Sequence, residues 1–110
     1  MLEGETSTIY EIKGVLSNKE QVIFPSVCGE RAIEQLRFFR TILRKERYGV
    51  KYCIVLLNND IHEVRLNRDE KNYLRCIKSC MKYGMEIEFF RICWNEETPQ
   101  LVRDKKIKLQ

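Results

Sequence analysis

Residues 9–14 read "IYEIKG", and residues 50–57 read "VKYCIVLL". The first stretch pairs β-branched and aromatic residues with Glu11 and Lys13, and a glycine follows. Together with Ser7 and Thr8 it reads as a strand over 7–14. On a strand, Glu11 and Lys13 project from one face, roughly 6.6 Å apart along the chain. The second stretch is almost continuously apolar and rich in β-branched residues, as expected of a central strand covered on both faces.

Between them, "VLSNKEQ" turns and "VIF" (22–24) forms a short strand, ended by Pro25, which has no N–H to give to a ladder. The close spacing of 7–14 and 22–24 suggests an antiparallel hairpin. A helix follows from about Gly29 to Arg47, with Ala32, Leu36, Phe39 and Leu43 as its buried stripe. A second helix is expected from about Arg68 to Tyr83. Asn67 is placed as N-cap with Glu70 completing a capping box, Tyr73, Ile77, Cys80 and Met81 face inward, and Gly84 is the terminator. "MEIEFFRICW" (85–94) reads as another strand, and "LVRDKKIKLQ" after Pro99 as a last short strand or a basic tail. The order β-β-α-β-α-β predicts an α/β fold: a mixed sheet with two packed helices, its second half wired by a strand–helix–strand crossover.

The chain has 110 residues, the usual size of one domain, and is read as a single domain over 1–110. It is 44% hydrophobic and 33% charged, with a net charge of +4 and a pI of about 8.8, which permits a polyanionic partner without demanding one. No apolar run reaches the ~18 residues of a membrane span, and the N-terminus has no signal-peptide pattern. The five cysteines (Cys28, Cys53, Cys76, Cys80, Cys93) lie in apolar or helical patterns and read as reduced thiols, which points to a cytoplasmic protein. There is no Cys-x-x-Cys pair and His62 is the single histidine, so a zinc site is not indicated. His62 reads as polar surface. Trp94 reads as a plug on a core edge in preference to a surface anchor.

The Glu11–Lys13 spacing suits metal-dependent phosphodiester cleavage. A carboxylate ligates Mg²⁺ while an ammonium on the same strand face sits beside the attacking water and the phosphate. The bare pattern is weak, because acid-x-Lys recurs at Asp69–Lys71 and Asp104–Lys106. By itself it reads as a solvent-facing strand pair worth ~0.2–1 kcal/mol. Two rows of cations flank the helical stripes: Arg37, Arg40, Arg44 and Arg47 on the first helix, and Lys71, Arg75, Lys78 and Lys82 on the second. Such rows track phosphates or cover core edges with their stems.

Taken together, "IYEIKG", "VIFPSVCGERAIEQL", "VKYCIVLL" and "GMEIEFFRI" resemble the C-terminal domain of the sugar fermentation stimulation protein (SfsA) family, a member of the PD-(D/E)xK nuclease superfamily. The matching positions are Glu11, Lys13, Phe24, Pro25, Glu30, Arg31, Leu36, Asp60, Tyr73 and Gly84. The resemblance implies a restriction-endonuclease-like core and association with DNA through Arg31, Arg37, Arg40, Arg44, Lys71, Arg75 and Lys78. It makes Glu11 the metal ligand, Lys13 the group that positions water, and Mg²⁺ the cofactor. The chain departs from the family pattern in several places. Ser26 stands where an Asp usually follows Phe-Pro, and Gly29, Ala32 and Glu34-Gln35 stand where the helix start reads Thr, Gly and Lys-His. The superfamily's second acidic ligand has no counterpart, only Glu3 and Glu5 lie upstream, and the family's N-terminal OB-like domain is absent. The expectation is therefore a fragment or shortened homologue, truncated at the N-terminus, with a degenerate site. Two other classes stay open: a non-catalytic DNA-binding module, and a protein-interaction module forming a homodimer through an uncovered sheet edge.

Overall fold

The computed structural model describes residues 7–26, 29–46, 48–58, 60–107 and 109–110. Their element order is β1 (Ser7–Val15), β2 (Gln21–Phe24), α1 (Glu30–Arg44), β3 (Tyr48–Leu56), β4 (Glu63–Leu66), α2 (Lys71–Lys82), β5 (Glu86–Asn95) and β6 (Thr98–Arg103). A four-stranded mixed sheet runs β1-β3-β5-β6, and a second sheet pairs β2 with β4. β1, β3 and β5 are parallel neighbours, and β6 returns antiparallel to β5. The α/β class, the mixed sheet and both helices are as the periodicity predicts.

The expected β1–β2 hairpin does not form. β1 pairs in parallel with β3, Glu11 opposite Tyr52 and Lys13 opposite Ile54, while β2 leaves the main sheet to pair in parallel with β4. The turn between them is anchored elsewhere: the Ser17 N–H donates to Asn58 Oδ1 at 3.0 Å, and the Asn58 amide donates back to the Ser17 carbonyl. β1 is thereby tied to the end of β3 rather than folded onto β2.

Strand alternation gives the main sheet two unlike faces. Val15, Val50, Tyr52, Ile54, Leu56 and Phe89 join the core formed with Leu36, Phe39 and Leu43 of α1 and Tyr73, Ile77 and Cys80 of α2. The residues between them, including Cys53 and Val55, lie on the opposite face, outside that cluster although they are buried. α2 starts later than expected. Asn67 Oδ1 accepts the Asp69 N–H at 3.0 Å and so caps a turn, and Glu70 is the residue at the helix N-cap. Met81 is exposed, and Cys76 takes the buried position beside Ile77 and Cys80. Gly84 ends the helix at φ +103°, a conformation that favours glycine, and its N–H donates to the Met81 carbonyl at 3.0 Å. Trp94 does not plug the core: it is 69% exposed near the end of β5. Arg47 and Cys28 of the sequence reading lie outside the described residues.

Candidate functional site

β1 turns Glu11 and Lys13 toward the helical layer, the same face as Tyr52 and Ile54 across the parallel register. They are therefore not the solvent-facing pair of an outer surface. Being on an outer strand of the described sheet, they keep partial access to water, at 22% exposure for Glu11 and 33% for Lys13. Lys13 Nζ lies 3.3 Å from Glu11 Oε1, so each charge is neutralised by the other.

Beside this pair opens a cleft of about 780 Å³. Lys13 and the end of β1 form one wall, Lys19, β2 and Pro25 a second, and Ala32, Asn67 and Asp69 the rim of the helical side. Its floor is made by Tyr52 and Tyr73, whose hydroxyls meet at 2.6 Å, with the Phe24 ring edge-on to both at 6.5 and 6.1 Å. Asn67 fixes the rim. Its side-chain amide donates to the Pro25 carbonyl at 3.0 Å and its backbone N–H to the Phe24 carbonyl at 2.9 Å. Lys19, Asn67, Asp69 and Tyr52 were not assigned to a site from sequence. A tyrosine inside an otherwise aliphatic buried strand was the available signal, because a buried phenol needs a hydrogen-bond partner.

Of the residues picked out by sequence, Lys13 lines the cleft and Glu11 is joined to it through the ion pair. Arg31 is exposed and precedes Ala32 of the rim, and Lys71 is exposed between the lining residues Asp69 and Tyr73. Arg37, Arg40, Arg44, Arg75 and Lys78 lie farther along the helices and do not line it. The two cation rows differ. On α1, Arg44 stacks on the Tyr83 ring at 5.7 Å and Arg40 is half-buried near the Cys80 thiol. On α2, Lys71, Arg75 and Lys78 are all exposed, and no salt bridge among the described residues engages them. The α2 row is the more accessible to a polyanion.

The described residues by themselves do not assemble a Mg²⁺ site. Glu11 offers one carboxylate, already paired with Lys13, and among the described residues no group of three or more His, Cys, Asp or Glu side chains is arranged to hold a metal. Glu3 and Glu5 lie outside the described residues. His62 is exposed, with its backbone N–H donating to the Glu20 carbonyl at 2.8 Å. Asp104, of the third acid-x-Lys, is structural: it pairs with Arg91, whose guanidinium also donates to the Ile61 carbonyl. The Cys53, Cys76 and Cys80 thiols are free and buried, Cys93 is free and exposed, and burial pushes the Cys80 thiol up to about 11.

Comparison with known proteins gives the class of fold. The structure of Pyrococcus furiosus SfsA in complex with Ca²⁺ superimposes with a TM-score of 0.67 at 10% sequence identity, over 94% of this chain. The fold is thus an α/β core of the SfsA kind. The chain spans 45% of the length of that protein. No family model matches the sequence, and no curated protein matches it. No helix among the described residues is long and apolar enough to cross a membrane.

Proposed function

We propose that the chain is a DNA-associated domain of nuclease-like fold that holds phosphodiester backbone without cleaving it efficiently. The observation that carries this reading is the placement of Lys13. It lines an open cleft, with Lys19 on another wall and Lys71 and the α2 cations beyond the rim, while its neighbour Glu11 is held in an ion pair. Cations at the mouth and along α2 attract phosphates without reading bases, so the binding is non-specific and salt-sensitive. A single carboxylate already paired with Lys13 is a poor ligand for a divalent ion and a poor means of activating water, which removes several kcal/mol of transition-state stabilisation, roughly a thousandfold or more in rate. The buried reduced thiols suit a cytoplasmic setting.

Plasmid nicking in Mg²⁺ or Mn²⁺ by the wild type, Glu11→Ala and Lys13→Ala tests the catalytic half of this reading. At most trace nicking is expected from the wild type. Robust cleavage lost in both variants would contradict it, and would mean that Glu3, Glu5 or Asp60 completes a metal site. Self-association through β1 is the second reading, because β1 is an outer strand of the described sheet.

A further inference from the structure

Among the described residues no helix packs on the sheet face turned away from the core, although Cys53, Val55 and Glu88 at its centre are buried by their neighbours. Both helices and the β2–β4 pair pack into the core cluster, which takes only the alternate residues of the main sheet. On the opposite face the register sets Ile12 beside Cys53, and Phe90 beside Arg103. Ile12 is 63% exposed, Leu101 56%, and Trp94 and Tyr10 are also open to solvent. An apolar sheet surface of this kind marks an interface.

Its charges select the partner. Glu88 is buried in the middle of the face, with Lys51 Nζ at 3.3 Å from one carboxylate oxygen and Arg103 Nε at 3.5 Å from the other. With Glu86 on the same side of β5, the face carries two acids and two bases, and so is neutral on a chain of net charge +4. A polyanion or an acidic protein finds no excess cation here, and a basic partner no excess anion. A surface of the same composition meets it without net repulsion, and two-fold symmetry supplies one.

We propose that this open face docks a second copy of the chain, face to face, as a weak homodimer. The four strands at about 4.8 Å spacing, over about seven residues of about 3.3 Å, present roughly 19 by 23 Å, or ~900 Å² for two copies. That lies at the small end of specific interfaces, so the dimer exchanges rapidly and forms at micromolar concentrations and above. This interface uses the sheet face rather than the β1 edge, and it does not depend on DNA.

Sedimentation equilibrium of the whole chain, from about 5 to about 500 µM, spans the range expected of so small an interface. The weight-average mass should rise from 13.2 kDa toward twice that value. The emission of Trp94, the single tryptophan, should shift to the blue in step. Ile12→Glu with Leu101→Glu should stay monomeric throughout with unchanged far-UV circular dichroism, since both side chains are exposed and outside the core. Trp94→Arg should weaken association at least tenfold. A wild type that stays monomeric at every concentration overturns the proposal. So does a dimer that survives the double substitution, which would place the interface elsewhere. A tryptophan already shielded from acrylamide in the monomer also overturns it, because a segment of the same chain would then cover the face.

Discussion

The hydroxyls of Tyr52 and Tyr73 meet at 2.6 Å, joining the central strand β3 to the first turns of α2 beneath the cleft. Both side chains are almost fully buried, so this hydrogen bond sits in a low-dielectric setting where it fixes the helix against the sheet. Tyr73→Phe should lower unfolding free energy by about 1 kcal/mol. Because the two hydroxyls share one bond, Tyr52→Phe/Tyr73→Phe should cost less than the sum of the single changes. Urea titrations of the three variants check this; strict additivity would show that the hydroxyls act independently.

Gly84 holds the chain at φ +103° where α2 gives way to β5. Nothing lies within contact distance of an added Cβ, so the cost of Gly84→Ala is backbone strain alone. It should destabilise by about 1–2 kcal/mol, with Gly84→Asn intermediate, since Asn tolerates this region better. Thermal melts that leave the alanine variant unchanged would argue that the helix end readily adopts another conformation.

The Arg91 guanidinium, by hydrogen bond and charge, holds the Asp104 carboxyl below its ordinary value of 3.8. A depressed folded-state value contributes stability that is present above the unfolded value and is lost as pH falls through the lower folded one. Wild-type stability should therefore fall as pH drops below about 4. Asp104→Asn should be less stable at pH 6, by about 1–2 kcal/mol for a charge-assisted hydrogen bond, and should show a smaller loss on acidification. Denaturant midpoints at several pH values decide this. Parallel profiles for the two proteins would remove Asp104 from the account.

The elements set by strong local signals were legible in sequence. The β-branched run 50–57, the apolar stripes of both helices and Gly84 each specify structure within a few residues. β4 was not. "EVRL" at 63–66 is short and half charged, and it is a strand because β2 lies parallel to it and Val64 bridges to Leu109, contacts distant in sequence. The β1–β2 hairpin failed for a related reason: spacing proposed a local pairing, but the α1 crossover brings β3 beside β1 instead.

Within the site, Glu11 and Lys13 were found by their strand-face spacing. Tyr52, Lys19 and Asn67 were not, because they come together only when β2 and the start of α2 close over β3. The fate of Trp94 was also beyond local reading. Its aromatic character favoured burial, but it lies near the end of β5 on the side of the sheet that no helix of the described residues covers.

The two cation rows differ in accessibility, because Arg44 is stacked on Tyr83 and Arg40 is half-buried whereas the α2 row stands open. Reversing Arg37, Arg40 and Arg44 to Glu should weaken DNA binding, and reversing Lys71, Arg75 and Lys78 should weaken it more. Electrophoretic mobility shifts of the two triple variants side by side rank the rows. Equal effects would mean that net charge alone, rather than an exposed row, drives the association.

The most direct test of the account is fluorescence anisotropy of a labelled duplex titrated with the wild type as salt is raised. With about four phosphate contacts, log affinity should fall linearly against log salt, losing about a hundredfold between about 50 and about 200 mM. Unrelated sequences should bind alike, and Lys13→Ala with the α2 reversal should abolish binding. No binding by the wild type at the lowest salt, or binding indifferent to salt, would contradict the claim that this fold is used to hold a nucleic-acid backbone.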